Sequence, residues 1–94
     1  MGVLFDTLRK LVMDGRYVVG VHASERLEER GILEWQIVDG IERGTLLAER
    51  PLDQPNPSVE VEQWLADGTA VKAVWSQIVS ADIAKLVTVH FFDR

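Results

Sequence analysis

The sequence predicts an α+β domain in which N-terminal helices pack on one face of a three- to five-stranded antiparallel sheet. Three observations predict it. Apolar residues recur at helical spacing as far as Arg43; from Thr45 onward they alternate; and the alternating half contains Asp67-Gly68, the residue pair a tight hairpin turn demands.

Val3 to Met13 places Phe5, Leu8, Leu11 and Val12 on a common face before Asp14-Gly15, an amphipathic helix stopped by glycine. Tyr17 to Val21 is aromatic and β-branched and reads as a short strand. Ala23 to Arg30 and Leu33 to Arg43 are two more helical stretches, closed by Gly31 and Gly44, which suggests a helical hairpin or corner. Thr45 to Glu49 is a candidate strand, and "RPLDQPNPS", with three prolines, is a loop. Ser58 to Leu65 and Thr69 to Ser76 form a hairpin about Asp67-Gly68, "SQIVSAD" connects, and Lys85 to Phe92 is a final strand.

Residues 1–94 are expected to form one domain, with a helix at 1–15 and a core over 17–93. A chain of 94 residues that is 47% hydrophobic can bury one modest core and no second one. With no cysteine, disulfides, zinc-thiolate sites and thiol nucleophiles are excluded. No stretch approaches the ~18 consecutive apolar residues of a membrane span, and Asp6, Arg9 and Lys10 interrupt any secretory signal, so a cytoplasmic protein without a membrane association is expected. The net charge of −5 disfavours non-specific attraction to nucleic acid, leaving any cationic patch to be assembled by folding.

Such a patch begins in "HASERLEERGI". His22, Arg26 and Arg30 recur every fourth residue and share one face of a helix. Two guanidinium groups so placed repel unless a carboxylate or an anionic ligand compensates them. Glu25, Glu28 and Glu29 stand beside them and can do so in part.

His22-Ala23, Arg26, Arg30-Gly31-Ile32, then "PNPS", "GTAVKAVW" and "LVTVHFFD" resemble, in the same order, a widespread bacterial family of small domains of unknown function. By similarity that family is grouped with the barnase, EndoU, colicin and RelE-like ribonucleases, whose fold is helices on an antiparallel sheet and whose active members, often toxins, need no metal or cofactor. The resemblance points to His22, Arg26 and Arg30 on the helix and to Thr88 in the last strand, with His22, Arg26 and Thr88 in catalytic roles and Arg30 on phosphate; by their own chemistry His90 can move a proton and Lys72 can neutralise a phosphate. Three positions depart from the family pattern: Gly20 replaces a serine, Lys72 a histidine and His90 a tyrosine.

The chemistry suits those residue types. Cleavage of RNA through its own 2′-hydroxyl needs a base for that proton, cations for the charge growing on phosphorus and an acid for the departing 5′-oxygen. Histidine titrates near working pH, and arginine grips two phosphate oxygens at once. Each residue also has an ordinary use. His22 can cap or pack, Arg26 can pair with Glu29, and Arg30 can bond the last helix carbonyls beside a left-handed Gly31 cap. Thr88 and His90 share a face with Leu86 and Phe92 if the strand alternates without a break. A two-residue turn sets Lys72 beside Gln63; another loop length switches its face. Trp35, Trp64 and Trp75 either stack bases or, as is ordinary in a small domain, fill the core. Two function classes follow: a toxin-like, metal-independent ribonuclease acting on RNA, or a non-catalytic interaction domain that binds an antitoxin-like protein or a second copy of itself.

Overall fold

The computed structural model describes residues 2–92. Its elements are α1 (Val3–Met13), β1 (Tyr17–Val19), α2 (Val21–Arg30), α3 (Glu34–Gly40) followed by a 3-10 turn (Ile41–Arg43), then β2 (Thr45–Arg50), β3 (Ser58–Trp64), β4 (Ala70–Ile78) and β5 (Ile83–Phe91). The α+β class and the N-terminal position of the helices agree with the sequence. The sheet does not: its order is β1-β5-β4-β3-β2, and β1 lies parallel to β5, so it is mixed and not purely antiparallel. A three-residue strand has no pattern that distinguishes the two directions. Direction is set instead by tertiary contacts. Arg16 donates from Nε to the Asp82 carbonyl (3.2 Å) and from Nη2 to that of Ala81 (3.3 Å), which ties the start of β1 to the β4–β5 turn.

Helix ends follow local chemistry. Gly15 and Gly31 are left-handed (φ 80° and 67°), and each helix closes with a pair of bonds across that glycine: Gly31 N–H to Glu28 O and Ile32 N–H to Leu27 O at the end of α2. Gly44 is different. Its φ is −69°, and a β-carbon there would collide with Val61 Cγ1, so glycine is required by crowding and not by backbone conformation. The N-terminus of α1 has a distant cap, since Phe5 N–H donates to Glu49 Oε2 at 2.8 Å. α2 packs on β5 and α3 on β3.

One face of the sheet, with Val59, Val61, Gln63, Val71, Ala73, Trp75, Leu86 and Val89, meets the buried residues of all three helices in a single core. At its centre Gln63 is fully buried, donating to the Ile37 carbonyl (2.7 Å) and accepting from Trp75 Nε1 (2.9 Å). The β3–β4 loop fixes the register. Gly68 N–H bonds to Leu65 O and Leu65 N–H to Thr69 O, a turn of three residues with Gly68 left-handed (φ 88°) in place of the two-residue turn. Lys72 therefore pairs with Glu62, while Gln63 pairs with Val71, and the lysine stands on the sheet face away from the core.

Candidate functional site

The site begins with an irregularity in β5. Val74 pairs with Thr88 but Trp75 pairs with Leu86, so Val87 is an extra residue, a bulge. Unbroken alternation from Leu86 carries Thr88 and His90 into the core. With the bulge inserted, Leu86 stays buried and Thr88 and His90 turn to the opposite face, His90 directly beside Lys72. The shared face expected for Leu86, Thr88 and His90 is thereby corrected.

α2 comes alongside through Gly20. Its N–H bonds to Leu86 O at 2.9 Å, and a β-carbon there would lie 2.8 Å from Lys85 Cε and 3.1 Å from the Leu86 carbonyl oxygen. A side chain at this position displaces the end of Lys85 and crowds the Leu86 carbonyl, so the helix starts hard against β5. Ala23 and Leu27 face the core, which leaves His22, Arg26 and Arg30 outside it. Arg26 Nε approaches His22 Nε2 at 3.5 Å, and its Nη1 is 3.5 Å from Glu29 Oε1. The Glu29 contact is the expected ion pair, long and exposed. Arg30 does not bond the helix carbonyls; its guanidinium carbon stands 5.1 Å over the ring of Phe91.

His90 feels all of these groups. Burial pushes its imidazole below the ordinary 6.5, and the charges of Lys72, Arg26, Arg30 and His22 lower it further. Five of the six expected site residues therefore lie within one electrostatic neighbourhood, and two of them, Lys72 and His90, line an open depression of about 340 Å³ together with Phe91 and Phe92. The sixth, Thr88, lies one step along the same face from His90. It is buried, and among the described residues its hydroxyl has no hydrogen-bond partner.

Sequence reasoning missed Glu60. Its carboxylate bridges Arg50 Nη1 (2.6 Å) and Lys72 Nζ (3.6 Å), tethering the lysine on the open face. Alternation along β3 gives the face of Glu60, but no sequence signal names its partners. Phe91 and Phe92 were also missed as site residues. Of the three tryptophans, Trp75 is core, whereas Trp35 and Trp64 are exposed. No three His, Asp or Glu side chains gather as metal ligands among the described residues, and none of the described helices is long and apolar enough to cross a membrane.

Asp93, the end of the stretch that carries the family resemblance, lies outside the described residues. No curated protein and no solved structure matches the chain significantly. The family profile described as "Domain of unknown function (DUF4258)" matches residues 20–91, from the glycine that opens α2 to the end of β5. That span takes in every residue of the depression except Phe92 and leaves out α1 and β1, and the chain belongs to the DUF4258 family.

Proposed function

We propose that the domain is a metal-independent, RelE-like ribonuclease of the toxin type, acting on RNA in the cytoplasm. The observation that carries this reading is that His90, held toward its neutral form, lies within reach of the charges of Lys72, Arg26, Arg30 and His22 and lines an open depression together with Lys72. A neutral imidazole is the form that accepts a proton. His90 removes the 2′-hydroxyl proton, the 2′-oxygen attacks phosphorus, and the bond to the 5′-oxygen breaks as His22, acting as general acid, gives that oxygen a proton. The products are a 2′,3′-cyclic phosphate and a free 5′-hydroxyl. Arg26, Arg30 and Lys72 offset the charge that develops on the phosphate oxygens. The buried hydroxyl of Thr88 is available to hydrogen-bond within the same face.

Incubation of the purified protein with mixed RNA in EDTA tests the proposal. Cleavage to cyclic-phosphate ends is expected, and His90→Ala or His22→Ala is expected to reduce the rate by roughly 10²- to 10⁴-fold. Arg26→Ala weakens turnover through lost phosphate contact. The second reading, a non-catalytic domain that binds an antitoxin-like protein or a second copy, is favoured by the net charge of −5, which opposes RNA. It expects no cleavage from the wild type and no change in any of the three variants.

A further inference from the structure

On the open face of the sheet, the row next to Glu62, Lys72 and His90 consists of Trp64, Ala70 and, one step past the last pair of β4 with β5, Phe92. Two aromatic side chains thus flank one small residue. Trp64 is 43% exposed and Phe92 36%, although a small domain ordinarily spends such side chains on its core. Neither is needed there, because Trp75 fills the core centre and bonds Gln63.

We infer that Trp64 and Phe92 form a stacking subsite for a nucleobase of single-stranded RNA, in register with the phosphate-binding row beside it. This rests on the ribonuclease reading for the identity of the ligand, and on the sheet alone for the geometry. Trp64 and the continuation of β5 at Phe92 stand on either side of Ala70, two strand spacings or roughly 9.5 Å apart. A planar base fits over Ala70 against one or both rings. Successive residues on one face of a strand are roughly 6.7 Å apart, so the aromatic row stands about one nucleotide's span from Lys72 and His90. A backbone phosphate held by Lys72, Arg26 and Arg30 therefore brings an adjoining base to the aromatic pair. Every base has a π-face, so the subsite accepts any base and demands only that it be unpaired. Duplex RNA, whose bases are stacked within the helix, is excluded. The substrate class is single-stranded RNA, and the protein contributes little choice among sequences at this position.

The test separates binding from cleavage by using a short, fluorescein-labelled oligonucleotide with 2′-O-methyl sugars, which lacks the attacking hydroxyl, and a second probe with the same backbone and abasic sites in place of bases. Wild-type protein is expected to bind the probe with bases at least about 5-fold more tightly than the abasic one, the lower end of what stacking one base supplies. Trp64→Ala and Phe92→Ala are expected to remove that preference, and Trp64→Ala, at a residue outside the depression, is expected to leave affinity for the abasic probe unchanged. Trp64→Tyr restores it, which a variant that merely unfolds would not allow. Equal affinity of wild type for the two probes overturns the inference, as does a preference that survives both alanine variants. So does a concentration-dependent dimer that dissociates in Trp64→Ala, with no probe bound by wild type, since the aromatics are then a protein contact. If base-dependent binding is found but RNA in EDTA stays intact, the stacking subsite stands and the ribonuclease reading falls. Cleavage without base preference gives the converse.

Discussion

Gln63 occupies a position where the sheet pattern calls for an apolar side chain, and it is fully buried between an indole N–H and a helix carbonyl. Replacing it with leucine leaves both partners desolvated and unpaired. Gln63→Leu is expected to destabilise the fold by about 1–3 kcal/mol in chemical denaturation, although it adds apolar surface. At His90 the linkage sign follows from the direction of its shift. The fold favours the neutral ring, so the unfolded chain binds the proton more readily, and stability is full above pH 6.5 and declines as pH falls from 6.5 toward the lowered value in the folded state. Melting temperature is expected to fall over that acidic window in the wild type and to fall less in His90→Asn. Addition of an anion that neutralises Lys72, Arg26 and Arg30 raises the pKa of His90 and flattens the decline. The spacing of His22, Arg26 and Arg30 was legible because helical period is a property of neighbours along the chain. The direction of His90 was not, because a bulge depends on the partner strand and leaves no local trace at Val87.

At the scale of elements, α2 was readable almost to the residue, because the αL glycine at its end is a local signal. The helix starts two residues earlier than Ala23, since Gly20 O accepts from Ser24 N–H. Gly31→Ala forces a side chain into φ 67° with open space around it, so its penalty is backbone strain alone, roughly 1–2 kcal/mol, measurable by thermal denaturation. Gly44→Ala has a different cause, the close approach of Val61, and is expected to distort the junction of the 3-10 turn with β2. The β3–β4 hairpin was recognised from Asp67-Gly68, but its length was not. Asp67 accepts from Thr69 N–H and is held below the usual carboxylate range by bonds to Thr69, a turn geometry that two residues alone do not reveal. One residue of loop length decided whether Lys72 faced solvent or the core.

For the whole molecule, a net charge of −5 surrounds a local cluster of cations, and the two act at different ranges. Affinity for single-stranded RNA is expected to fall as salt rises, with log K changing by roughly 0.7 per phosphate contacted for each unit of log salt, and Lys72→Ala is expected to reduce that slope by about one contact's worth. Titration of binding against salt measures it. The α+β class was legible because a change of period from helical to alternating is visible along the chain, whereas the parallel edge strand was not, because β1 meets a partner most of the sequence away. Tyr17 pairs with Ala84 and Val19 with Leu86, and α2, which presents His22 and Arg26, departs from the end of that short strand. During synthesis the helix emerges early, yet the strand that anchors it and supplies His90 is translated afterwards. A ribosome stalled before residue 84 therefore holds Arg26, Arg30 and Lys72 but none of β5, so the depression that Lys72 shares with His90 and Phe91 is assembled only after that last strand has been made.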